Sequence, residues 1–148
     1  MAGYNFYPLT SIQGFVNAMP KSQNKILCID FSNRQGEGAL ALGPYQLRPL
    51  ILREEQGATT AWRVQIEPGA VTPASYHARS EELYLVTAGG GKVWLNGEEF
   101  QLKIGTFLRL PPGTTHAFTA GPDGLEMLDI HTPGCWPDHD TFFMPKTT

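Results

Sequence analysis

Residues 92–102 read KVWLNGEEFQL, two runs of alternating apolar and polar side chains joined by Asn96-Gly97. A two-residue hairpin loop that matches strand twist needs positive φ at both central positions, and Asn-Gly adopts that geometry at low steric cost. The segment therefore predicts an antiparallel hairpin, and the chain on either side repeats its texture. Short runs rich in β-branched, aromatic and aliphatic residues predict strands at 26–31, 45–54, 60–67, 82–88, 92–95, 99–102, 106–110, 115–120 and 124–132. Turn residues punctuate them, among 16 Gly and 12 Pro. Gly89-Gly90-Gly91 sits between two of these runs and reads as a turn or bulge. No segment beyond residue 25 has a helical period, so the expected class is an all-β sandwich or barrel. Residues 1–24 form an N-terminal arm with the one candidate helix, Ser11 to Ala18, capped by Thr10 or Ser11 and stopped by Pro20. Residues 25–148 are expected to be a single β domain.

Composition narrows the function. The 148 residues are 41% hydrophobic and 11% aromatic, which argues against disorder and suits one core. A net charge of −3 without any Lys/Arg cluster gives nucleic-acid binding nothing to start from. Apolar runs such as 47–52 stop well short of the ~20 residues of a membrane span. The start, MAGYNFYPLT, lacks the pattern of a secretory signal, so a reducing cytoplasm is the expected compartment. Cys28 and Cys135 belong to no CxxC or Cys/His array and read as ordinary core or surface cysteines. Nucleophile-elbow, phosphate-loop and dinucleotide-binding glycine motifs are also missing from the sequence.

The four histidines are His77, His116, His131 and His139. Five residues separate Gly69 from Ser75-Tyr76-His77; Glu82 follows, and six residues separate it from Gly89. Five residues separate Gly105 from Pro111-Pro112-Gly113, two separate Gly113 from His116, and three separate His116 from Ala120. These two stretches resemble the paired motifs of the cupin superfamily, and about residues 60–132 carry the resemblance. It implies an antiparallel jelly-roll barrel, or double-stranded β-helix, whose strands converge on a metal. His77, Glu82 and His116 take the ligand positions. Ser75 stands where a further histidine ligand would be, and Ala120 replaces the closing Asn. The resemblance also implies a homodimer, with the N-terminal arm packed on the barrel or exchanged between subunits, and a tail around 133–140 that closes the barrel mouth.

Two imidazoles and one carboxylate on one face suit a single divalent Fe, Mn, Ni or Zn ion. Strand alternation supports a shared face, with Ser75 and His77 on one side and Glu82, Tyr84 and Val86 together while Glu81 turns away. The competing reading leaves His77 and His116 as hydrogen-bonded core residues and Glu82 as a surface carboxylate or partner of Arg79. Asp129, His131 and Met127 share a face of the last strand: facing the cup, His131 is a general acid or base; facing out, it is a rim residue bonded to Asp129. Tyr84 is the other proton-transfer candidate, or else a tyrosine tied to a rim backbone group. Ser75, Trp62 and Phe118 are candidate substrate contacts. The resulting expectation is a metal-dependent enzyme acting on a small organic molecule, by Lewis-acid isomerase, cyclase or lyase chemistry or as an Fe(II) dioxygenase. The alternative is a metal-free small-molecule binding or sensing module. A metal-free epimerase would require Tyr84 and His131 as its acid/base pair.

Overall fold

Nine strands wind into one curled antiparallel sheet in the computed structural model, which describes residues 26–34 and 36–145. They are β1 (Leu40–Leu42), β2 (Tyr45–Pro49), β3 (Thr60–Ile66), β4 (Ser75–Tyr76), β5 (Glu81–Leu95), β6 (Glu98–Lys103), β7 (Phe107–Leu110), β8 (His116–Thr132) and β9 (Phe142–Phe143). Among the described residues there is no α-helix, as the missing helical period requires. The expected arm, with its candidate helix, lies outside the described residues.

The Asn-Gly hairpin forms as expected: Leu95 pairs with Glu98, and Asn96 and Gly97 have φ of 48° and 102°. Elsewhere the expected strands merge. The runs at 82–88 and 92–95 are one strand, β5, which bends at bulges between Val86 and Ala88 and between Gly89 and Gly91. Glycine is needed there because the backbones nearly touch. A Cβ on Gly89, at φ 65°, would stand 2.1 Å from the Gly124 carbonyl oxygen, and one on Gly91 would be equally close to that of Thr119. Likewise 115–120 and 124–132 join into β8, which pairs with β5 along most of its length and with β3 over Leu125–His131.

The expected strand at 26–31 does not form. The Asp30 side chain accepts bonds from the Ser32 N–H and hydroxyl, 2.9 and 2.6 Å away, and a 3-10 turn over Phe31–Arg34 follows. Local capping has won over sheet pairing there, and Ile26 is left exposed. The run at 45–54 ends as strand at Pro49 and gives way to a 3-10 turn at Arg53–Glu55. Glu55 there makes a bidentate pair with Arg34.

Alternation sorts the barrel. In β3 the burial pattern is strictly period two, sending Trp62, Val64 and Ile66 inward. Tyr84, Val86, Val93, Leu110, Phe118 and Met127 join them in the core. This packed end of the barrel is the base on which a polar cluster is mounted.

Candidate metal centre

Register brings the polar cluster together. Glu82 of β5 lies directly opposite His131 of β8, and one inward step along, Tyr84 lies opposite Asp129. Directly opposed residues share a face, so all four point into the barrel. At the start of β8, His116 opposes Ser75 of β4, and His77 follows two residues after Ser75. All of these side chains are buried; Glu82 is only 2% exposed.

The inward reading of His131 is therefore the one realised, and the reading of Glu82 as a surface carboxylate is not. Nε2 of His77 and Nε2 of His116 each lie 3.4 Å from a Glu82 carboxylate oxygen, and Nε2 of His131 lies 3.0 Å from one. The Tyr84 hydroxyl donates to Glu82 Oε1 at 2.6 Å. Ser75 Oγ is 3.4 Å from His116 Nε2. Trp62 lines the cavity, with its ring packed edge-on against Trp136 at a centroid distance of 4.6 Å. Phe118 does not line the cavity. It is fully buried behind it, 5.1 Å from the Tyr84 ring and 6.0 Å from the His116 ring, so it supports the site without facing a ligand.

The tail expected to close the barrel mouth also reaches a candidate ligand. The Asp140 carbonyl oxygen is 2.8 Å from Nδ1 of His77, and Cys135 Sγ lies 3.5 Å from the same nitrogen. Cys135, read from sequence as ordinary, thus lines the cavity along with Trp136, Pro137 and Thr141. No motif spacing marks a lone cysteine beyond the last long strand. Asp129 had only its shared face with His131 to signal it.

The cavity holds two buried carboxylates, Glu82 and Asp129, and no Lys or Arg is among the described residues lining it. Burial opposes ionisation of Glu82, but His116, His131 and His77 outweigh it and hold the carboxyl well below its usual range. Burial dominates at Asp129 and pushes it well above. For His131, burial is outweighed by Asp129 and Glu82, which raise it to about 9. For His77 it is outweighed by Cys135 and Glu82, which raise it to about 11. The site therefore demands positive charge, supplied by protons on imidazoles or by a cation.

The donor set fits a cation. Nδ1 of His77 faces the Asp140 carbonyl, and Nδ1 of His116 faces that of Thr114 at 3.1 Å. A carbonyl oxygen accepts only, so each Nδ1 carries the hydrogen, and in the neutral ring each Nε2 presents a lone pair toward Glu82. His77, Glu82 and His116 offer donor atoms all within 4.8 Å of one another, and Glu82 Oε2 is buried without a hydrogen-bond partner.

A family model for the cupin domain matches residues 62–131. Quercetin 2,3-dioxygenase of Bacillus subtilis (strain 168) is 30% identical over 59 residues, covering 40% of this chain and only 18% of that protein. Among solved structures, ectoine synthase from P. lautus superposes with a TM-score of 0.69 at 13% identity, covering 83% of this chain and 93% of that one. A Streptomyces PAC13 variant with uridine gives 0.63 at 20% identity, over 74% and 86% of the two chains. At such identities the structural likeness speaks for fold alone. Residues 62–131 are thus a cupin domain that contains both motifs with His77, Glu82 and His116, and the fold around it is that of the cupin superfamily.

Proposed function

We propose that the protein is a metal-dependent enzyme acting on a small organic molecule, with His77, Glu82 and His116 as ligands of one divalent transition ion. The observation that carries this reading is the paired commitment of Nδ1 on His77 and His116 to backbone carbonyls, which turns both Nε2 atoms toward one buried carboxylate. A bound ion would supply Lewis acidity for an isomerising, cyclising or lyase step, or, as Fe(II), dioxygen chemistry.

The chain's own residues complete the reading. Burial and the nearby Glu82 charge push the Tyr84 phenol well above its ordinary value, so it stays protonated and fixes the orientation of Glu82 as a donor. Ser75 places a hydroxyl beside His116, where it can hold a polar substituent of the substrate. Trp62 supplies an apolar wall. The cavity measures about 60 Å³, so only the reacting head of a substrate enters it and the remainder extends past half-buried Pro137 and exposed Phe143. The name of the sequence relative, quercetin 2,3-dioxygenase, agrees with small-molecule chemistry.

One observation favours a second reading, a metal-free binding module: Ser75 and Ala120 occupy two positions where the motif has stronger polar groups. In that case Glu82, His131 and Tyr84 form a hydrogen-bonded acid/base chain. Elemental analysis of protein purified without chelator or metal-affinity tag separates the two. Near-stoichiometric Fe, Mn, Ni or Zn in the parent, lost in His116→Ala, supports the enzyme. Absence from both, not restored by added ions, overturns it.

A further inference from the structure

We infer that His131 is a fourth ligand of the ion, supplying from the last long strand the imidazole that Ser75 no longer provides. The inference rests on the metal reading above and assigns His131 to the ion rather than to proton transfer.

Distances carry the first part of the argument. Nε2 of His131 lies 3.0 Å from Glu82 Oε1 and 3.3 Å from Nε2 of His77. Nitrogen and oxygen donors bound at ~2.0–2.2 Å in tetrahedral or octahedral arrangement stand roughly 2.8–3.6 Å apart along the edges of the polyhedron. Both His131 separations fall in that range, as do the 3.4 Å separations that Glu82 makes with His77 and His116. The cross-strand pairing of Glu82 with His131 imposes this approach, so it does not depend on a flexible side chain reaching inward.

Unsatisfied atoms carry the second part. The buried side-chain polar atoms without a hydrogen-bond partner among the described residues are Glu82 Oε2, Asp129 Oδ1 and His131 Nδ1. The last two lie 3.5 Å apart. If neutral His131 keeps its hydrogen on Nε2 to serve Glu82, its Nδ1 is left as a bare acceptor facing a carboxylate oxygen. The other tautomer resolves both orphans. With the hydrogen on Nδ1, directed at Asp129, the Nε2 lone pair is freed for an ion, the arrangement by which carboxylates commonly support ligating histidines. The same ion accepts the stranded Glu82 Oε2. One cation and one proton position thus satisfy all three atoms, whereas a proton held between His131 Nδ1 and Asp129 Oδ1 without a cation serves those two and still leaves Glu82 Oε2 buried and unpartnered, at a cost of roughly 1–3 kcal/mol. Asp129 is then a positioning residue that acts through His131.

The test is X-ray absorption at the zinc edge of parent protein reconstituted with Zn(II), combined with Zn(II) affinity by chelator competition for the parent, His131→Gln and Asp129→Asn. Three imidazoles in the parent spectrum, two in His131→Gln, and an affinity loss of about tenfold or more in that variant are expected. Asp129→Asn keeps three imidazoles and binds more weakly. Stoichiometric zinc with two imidazoles in the parent overturns this inference and leaves the metal reading standing. No zinc bound by the parent overturns both. The parent spectrum decides the matter even if a variant fails to fold, which circular dichroism reads directly.

Discussion

The carbonyl oxygen of Asp140 lies 2.8 Å from Nδ1 of His77, a residue 63 positions earlier, while the Asp140 carboxylate accepts the backbone N–H groups of Ala78, Arg79 and Ser80. One tail residue therefore sets both the tautomer of a candidate ligand and the path of the chain that carries it. The Ser80 hydroxyl adds a further tie by donating to the Pro133 carbonyl at 2.8 Å.

Asp140→Ala removes the carboxylate but not the carbonyl. Loss of three charge-assisted bonds should lower stability by about 2 kcal/mol, since the site is partly exposed. As the segment loosens, Zn(II) affinity should fall by roughly tenfold. Denaturant unfolding and chelator competition check both; a variant matching the parent in both would show that the carbonyl alone holds His77.

Acid should reveal the same contact. Burial of the Asp140 carboxylate works against ionisation, but the N–H groups of Arg79, Ser80 and Ala78 outweigh it and hold the group below its ordinary value. A carboxylate lowered in the folded state contributes stability that is complete above its unfolded value, about 3.9, and is lost as pH falls through the lower folded value. Unfolding measured from about pH 6 down to about pH 2 should show this loss in the parent. Asp140→Asn should be less stable at the upper end and flatter across the window, and parallel curves would contradict the assignment.

Tyr84→Phe deletes the donor to Glu82 Oε1, 2.6 Å away. In ion-free protein this leaves a buried carboxylate less satisfied and should cost about 1–3 kcal/mol. Under saturating Zn(II) the cation compensates and the deficit should shrink. Melting curves with and without Zn(II) read the difference; an equal deficit in both would mean that Tyr84 does not support the ion site.

Gly89→Ala should destabilise more than Gly69→Ala. Both glycines have positive φ, 65° and 71°, so each substitution carries a backbone penalty of roughly 1 kcal/mol. Only at Gly89 would the added Cβ also meet a backbone carbonyl, whereas at Gly69 nothing lies within 4 Å. Chemical denaturation orders the two variants, and equal losses would mean that the β5 bulge yields easily.

Local chemistry in the sequence determined the elements that depend on neighbours a few positions away. The Asn96-Gly97 turn needs only its own φ preferences. The inward set Glu82, Tyr84 and Val86 follows from strand alternation, and the spacing of His77, Glu82 and His116 within their motifs marked the candidate ligands together. Tertiary structure alone decided what depends on pairing across tens of residues. Whether 82–88 and 92–95 form one strand or two is a matter of how closely Gly89 and Gly91 approach Gly124 and Thr119. Whether 26–31 joins a sheet depends on a partner strand, and the local Asp30 cap prevailed. His131 had two faces open to it until its register against Glu82 chose the inner one. The resemblance marked the tail around Asp140 as a closing segment, but the contacts that Asp140 and Cys135 make with His77 come from where that tail folds back. Alternation gives each strand its faces, but only long-range register says which side chains on those faces meet.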